Sequence, residues 1–163
     1  MILVKVLYWI FNILFKKGEV CVIEGKNSAA YGNIPLITEG LLEQKIRYTI
    51  ISHDSFFVKA VFKIAKAKVI IIDQSNKYLS NIKLSKQTRV LQIWHGGGIL
   101  KRVGYDKQRH KTQKEINRLH RVYGNITDAI VCDAKLKEYY ASAFNLKVES
   151  IHATGIPRTD LLF

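Results

Sequence analysis

Val90-Leu91-Gln92-Ile93-Trp94-His95-Gly96-Gly97-Gly98-Ile99-Leu100-Lys101-Arg102-Val103-Gly104 is the stretch whose reading decides the fold. An apolar run stops at Trp94-His95, three glycines follow, and a basic pair comes after them. That pattern is a buried strand whose carboxyl end delivers a histidine into a loop with little side-chain bulk. In open α/β sheets, ligands bind in the crevice beyond the strand ends. Gly96, Gly97 and Gly98 let backbone N–H groups come close to an anion, and Lys101 and Arg102 add positive charge within one helical turn. Imidazole titrates near neutrality, so a histidine beside such a pocket is suited to general-base work. Spacing alone supports equally well a glycine-rich turn that holds a structural histidine.

Outward from this strand, extended and helical patterns alternate. Residues 68–73 contain Val69-Ile70-Ile71-Ile72, a fully apolar strand of the kind found in a parallel sheet buried on both faces. Further strands are expected at residues 19–23, 47–52, 128–132 and 147–152, with the central one at 89–94. Phe56, Phe57, Ala60, Val61, Ile64 and Ala65 recur at helical spacing. Pro35 is placed to open a helix running to about Gln44, and residues 134–143 form another. The alternation implies right-handed crossovers and an α/β fold: a Rossmann-like parallel sheet flanked by helices. Residues 105–121 are strongly basic, which fits a solvated helical face or a groove that tracks a phosphate polymer. Internal repeats, low-complexity tracts and flexible linkers are absent from the sequence.

A chain of 163 residues suits one domain with a real core. Its 26 Lys and Arg against 13 Asp and Glu give a formal charge of +13, which favours anionic partners: nucleic acid, anionic lipid or a polyphosphate chain. No nucleic-acid-binding motif accompanies the charge, so nucleic acid is set aside. Cys21 and Cys132 each sit in an apolar run, so two buried free thiols are expected, not a disulfide. Neither has metal-ligand spacing, and no dinucleotide fingerprint or Walker loop occurs; metal and cofactor are both read as none.

Residues 1–17 form an apolar helix set apart from the domain at 18–163. At about 100° per residue, Lys5, Asn12 and Lys16 fall on one narrow side of it. The run is short for a membrane span and has no cleavage site after it. Three placements stand: packed on the sheet, lying in a headgroup layer, or anchoring the chain. Tyr8, Trp9 and the basic end Lys16-Lys17 speak for the interfacial one.

Gln92-x-Trp94-His95-Gly96-Gly97-Gly98-x-x-Lys101-x-x-Gly104 resembles the signature of the CDP-glycerol glycerophosphotransferase family, bacterial enzymes that build teichoic acids and related phosphate-linked polymers. Thr154-Gly155-Ile156-Pro157-Arg158-Thr159-Asp160-Leu161-Leu162 is similar to the family's Gly-x-Pro-Arg-x-Asp element. Gly25, Ser28, Tyr31, Asn33 and Pro35 echo a motif that follows its first strand. Many members carry Thr-Pro after the His-Gly pair. Gly97-Gly98 stands there instead, as in the ribitol-type and priming branches, and leaves the transferred polyol open.

The resemblance implies a reaction in which an acceptor hydroxyl attacks the β-phosphorus of CDP-glycerol or CDP-ribitol, making a phosphodiester and releasing CMP. His95 matches the family's catalytic histidine and is expected as general base; orienting the acceptor is its competing role. Lys101 and Arg158, with the glycines 96–98, are expected on phosphate or acceptor. Trp94, Gly104, Asp160 and Asn33 are expected in structural or secondary roles. For Arg158 and Asp160 the alternative is a mutual ion pair that closes the domain. His53, His110, His120 and His152 match no motif and are read as surface or packing residues. The family is a two-domain GT-B transferase, and this sequence corresponds to its acceptor-side N-terminal half, without the donor domain. An isolated chain is therefore expected to be inactive, its partners a lipid-linked glycopolymer acceptor, an anionic membrane surface at the cytoplasmic face and a separate C-terminal half. The competing reading is a non-catalytic module that keeps the fold and binds membrane or an anionic glycopolymer.

Overall fold

The computed structural model describes residues 2–28, 32–96, 98, 101–107 and 112–162. Its centre is a six-stranded sheet: β1 (Glu19–Ile23), β2 (Tyr48–Ile51), β3 (Ala67–Ile72), β4 (Arg89–Gln92), β5 (Asp128–Val131) and β6 (Ile151–Ala153). The strands lie in the order β2-β1-β3-β4-β5-β6, and all five pairings are parallel. Parallel neighbours need crossovers. Four connections carry helices, α2 (Asn33–Glu43), α3 (Phe57–Lys66), α4 (Gln113–Tyr123) and α5 (Lys137–Phe144); the one from β3 to β4 carries only a 3-10 turn, Leu79–Asn81, and α1 (Ile2–Leu14) precedes the sheet.

One face of the sheet holds the main core. Cys21, Ile23, Ile70, Ile72, Val90, Ala129 and Val131 project from it onto Ala60, Val61, Ile64 and Ala65 of α3 and onto Tyr140 and Phe144 of α5. The last turns of this layer are closed by α1. Phe11 meets Phe62 edge to face with centroids 5.4 Å apart, and the buried Tyr8 accepts a hydrogen bond from the Ser85 N–H at 2.9 Å. Tyr8 therefore belongs to the core and not to an interfacial face. Ile2, Leu3, Trp9, Ile13 and Leu14 of the same helix stay exposed. Among the described residues no helix is long and apolar enough to cross a membrane.

The opposite face is covered only in part. Ile34 of α2 seals Val22, Ile71 and Ile93, but Val69, Leu91 and Ile130 remain half-buried and line a cleft of about 560 Å3. Burial on both faces, expected from Val69-Ile70-Ile71-Ile72, thus holds for one half of the sheet only. At the amino edge Arg89 and Asp128 form an ion pair; Thr127 Oγ1 and His152 Nε2 also contact the carboxylate at 2.6 and 3.2 Å. Burial pushes the Asp128 carboxyl up, but hydrogen bonds from Arg89, Thr127 and His152 together outweigh it and hold it below the usual range.

Several boundaries move. The last strand begins at Ile151, not residue 147, because Val148–Ser150 forms a 3-10 turn. β4 leaves the ladder after Gln92, two residues before Trp94. Residues 134–136 form a 3-10 turn before α5, and α2 starts at Asn33, ahead of Pro35. Cys21 is buried, its thiol pushed up to about 12 mainly by desolvation, whereas Cys132 lies past the end of β5 and is exposed. Only one of the two thiols is in the core.

Candidate functional site

The strand order reverses its direction of growth between β1 and β3, so the crevice beyond their carboxyl ends is the expected ligand position of this topology. Ser28, in the loop after β1, donates from Oγ to Asp73 Oδ1 at 2.9 Å and accepts the Gly25 N–H at 2.6 Å. Gln74 reaches the same hydroxyl at 3.4 Å, and its side chain fills the place where a Cβ on residue 25 would lie. Asp73, which follows β3 directly, is fully buried, with Oδ2 lacking a hydrogen-bond partner. Burial raises its carboxyl above the usual range against the opposing hydrogen bonds of Ser28 and Gln74 and the charge of His95.

His95 sits beside this crevice because Trp94 turns the chain. Trp94 adopts φ 52, the left-handed region that costs a non-glycine residue roughly 1–2 kcal/mol. Three contacts hold it there. Its N–H donates to Gln92 Oε1 at 2.9 Å, its carbonyl accepts from Asn33 Nδ2 at 2.8 Å, and its ring meets Phe144 edge-on at 5.4 Å. The indole also stacks on His95, centroids 4.4 Å apart. The half-buried imidazole places Nδ1 3.3 Å from the Asp73 carbonyl oxygen. A carbonyl only accepts, so this contact requires the proton on Nδ1 and makes Nε2 the basic nitrogen of the neutral ring.

The flanking residues divide. The Gly96 carbonyl accepts from Tyr140 Oη at 3.1 Å, while Gly98 and Lys101 are exposed. Gly104 has φ 55, and a Cβ there would meet the Ala143 carbonyl oxygen at 1.9 Å. Arg158 reaches the site through its backbone, the N–H donating to Asn33 Oδ1 at 3.1 Å. Among the described residues no ion pair joins Arg158 to Asp160. Both lie in the 3-10 turn Pro157–Leu162, where residues two apart point to different sides; the expected mutual pair is thereby corrected. Asp160 instead lines the apolar cleft. Gly97 lies outside the described residues, as do Tyr31, Arg109, His110 and Lys111. His120 is exposed and bonded to Tyr105 Oη at 3.0 Å, and His53 pairs with its neighbour Asp54, so neither belongs to the site. Among the described residues no three His, Cys, Asp or Glu side chains converge as a metal centre.

The structure thus brings together Trp94, His95, Gly96 and Asn33, with the Arg158 backbone. Sequence reasoning missed Asp73 as the residue under His95, and Gln92 and Tyr140 as supports of the loop. An acid ending a wholly apolar strand was the available signal for Asp73; Tyr140, 44 residues from its partner, left none.

Comparison with known proteins agrees with this fold. The profile of the family described as CDP-Glycerol:Poly(glycerophosphate) glycerophosphotransferase matches residues 42–163. Teichoic acid ribitol-phosphate polymerase TarK of Staphylococcus aureus (strain NCTC 8325 / PS 47) is 28% identical over 151 residues, covering 81% of this chain and 28% of TarK. The teichoic acid glycerol-phosphate primase of Bacillus subtilis (strain 168) is 27% identical, over 91% of this chain and 36% of the primase. A structure of the wall teichoic acid polymerase TagF superposes with a TM-score of 0.70 at 20% identity, over 96% of this chain and 44% of that one. The chain therefore spans less than half the length of each of these relatives.

Proposed function

Because this chain belongs to the CDP-glycerol:poly(glycerophosphate) glycerophosphotransferase family, we propose that it is the acceptor-binding part of a polyol-phosphate transferase that builds a teichoic-acid-type polymer. The donor, CDP-glycerol or CDP-ribitol, is bound by residues outside this chain. His95 is the general base. The acceptor hydroxyl gives its proton to Nε2 as its oxygen bonds to the β-phosphorus; the bond from that phosphorus to the bridging oxygen breaks, and CMP departs with it. The observation that carries the reading is the 3.3 Å contact of Nδ1 with the Asp73 carbonyl, which fixes the tautomer a base requires. Trp94 keeps the ring from rotating by stacking on it. Lys101 and Arg158 are exposed, Arg158 adjoining the site through its bond to Asn33, and in this reading they supply the cationic charge that phosphoryl transfer needs. The acceptor is a lipid-linked glycopolymer, met at the cytoplasmic face of the membrane.

The test is CMP release from CDP-glycerol and CDP-ribitol on a lipid-linked acceptor, with the chain mixed with a separately expressed C-terminal part of a family member. Release is expected only on mixing, and His95→Ala lowers it by roughly 100-fold or more. Turnover within tenfold of the parent in His95→Ala, with the fold intact by circular dichroism, overturns the assignment.

A further inference from the structure

The pairing of β3 with both of its neighbours ends at Ile72, so the Asp73 carbonyl that meets His95 Nδ1 lies past the ladder. What holds this peptide is its own side chain. Asp73 is fully buried, its Oδ1 accepts the Ser28 hydroxyl at 2.9 Å, and its Oδ2 lacks a hydrogen-bond partner. Ser28 sits in the loop after β1 and is 1% exposed. One buried hydroxyl thus joins the loop after β1 to the loop after β3 at the point where the sheet reverses its growth.

That hydroxyl has one direction in which to donate. Ser28 and Gly25 are bonded reciprocally, the Gly25 N–H donating to Ser28 Oγ at 2.6 Å and the Ser28 N–H to the Gly25 carbonyl at 3.2 Å. Gln74 Nε2 approaches the same Oγ at 3.4 Å. Both lone pairs of the oxygen face donors, and its single proton goes to Asp73. Without the hydroxyl, the Gly25 N–H and the buried Asp73 Oδ1 lose these bonds, and an unpaired buried polar group costs more than the bond contributed. The relief open to Asp73 is to turn its carboxyl toward water. Such a turn swings the peptide plane and takes the carbonyl away from His95.

We propose that Ser28 is a positioning residue for His95: by fixing Asp73 it holds the carbonyl that keeps the proton on Nδ1 and leaves Nε2 basic. The proton of a neutral imidazole is placed by the bond its other nitrogen makes, and here the acceptor is a peptide carbonyl. The consequence for turnover rests on the reading of His95 as the base, whereas the hold on the ring does not. Because the Asp73 carboxyl enters only as an acceptor for Ser28, an amide serves in its place: Asp73→Asn offers the hydroxyl the same oxygen.

The experiment is a two-bond 1H–15N correlation spectrum of the 15N-labelled full chain, at a pH where the ring signals no longer move. Protonated and bare ring nitrogens resonate far apart, and the His95 signals are those missing from His95→Gln. The parent is expected to carry its proton mainly on Nδ1. Ser28→Ala should lower the ratio of Nδ1–H to Nε2–H roughly tenfold, the worth of about one hydrogen bond, with an unchanged circular dichroism spectrum. Ser28→Cys, close in shape but a weaker donor, should fall between the two, and it serves in place of an alanine variant that does not fold. Asp73→Asn should keep the parent ratio. In the mixture that releases CMP, Ser28→Ala should lower kcat by roughly 10- to 100-fold and leave KM for the CDP-linked donor within about twofold. An unchanged tautomer ratio in folded Ser28→Ala and Ser28→Cys overturns the proposal. So does loss of the Nδ1–H form in Asp73→Asn, which would assign the hold to charge. A ratio that falls in Ser28→Ala while the parent mixture releases no CMP upholds the positioning and overturns only the assignment of His95 as base.

Discussion

Asn33 donates its side-chain N–H to the carbonyl of Trp94 at 2.8 Å, across 61 positions of chain. Its own carbonyl accepts the Arg158 N–H, so one fully buried amide fastens the start of α2 to the turn before His95 and to the Pro157–Leu162 segment. The three stretches whose residues suggested the family are joined at this point.

Asn33→Ala leaves the part-buried carbonyl of Trp94 and the part-buried N–H of Arg158 without partners, at about 1–2 kcal/mol each. Urea denaturation should show a loss of about 2–4 kcal/mol. Hydrogen exchange should quicken at residues 94–96 before it does in β3. Uniform loosening of the whole sheet would contradict the clasp.

Gly104→Ala confronts two obstacles, the left-handed φ and a carbonyl 1.9 Å from the new Cβ. Together they should cost roughly 2–4 kcal/mol. A change under 0.5 kcal/mol by thermal melting would show that this backbone moves aside easily.

Asp73 carries a sign that can be worked out. Its folded pKa is raised mainly by burial, so the group favours folding below the unfolded carboxyl pKa, and that contribution fades as pH rises through the folded value. Above the folded value the ionised carboxylate therefore opposes folding. Asp73→Asn should be as stable as the parent at pH 7 or more so, and lose that advantage near pH 4. Calorimetric melts at the two pH values decide it: a variant less stable than the parent at pH 7 only would refute the assignment.

The thiols differ in environment. Cys132 is exposed, while desolvation holds Cys21 protonated to about pH 12. A colourimetric thiol reagent on the native protein should titrate one group at neutral pH and the second only in denaturant. Two fast thiols would mean that β1 opens readily.

What the sequence disclosed follows from periodicity, and what it hid follows from distance along the chain. Val69-Ile70-Ile71-Ile72 announces a buried parallel strand on its own, and Phe57 to Ala65 announces its covering helix. Residues 147–150 alternate as a strand would, yet they form no ladder. Asn145, in the left-handed region, ends α5, and Ile151 is the partner of Ala129, so pairing starts only there. Cys132 looked buried because its apolar run continues past the point where β5 leaves the sheet. His95 was legible through its neighbours in the chain. Asp73, 22 residues away, was not, because nothing local reveals which carbonyl will meet an imidazole.

All five pairings of the sheet are parallel, and this bears on how the molecule forms. Val20 must find Tyr48 and Ile70 must find Val90, so each rung closes a loop of many residues before it gains anything from the contact. Such a topology folds slowly, on the order of milliseconds to seconds, with strand edges uncovered along the way. In a cell, the interval between synthesis and sheet closure is when this chain is most exposed to aggregation and depends most on chaperones.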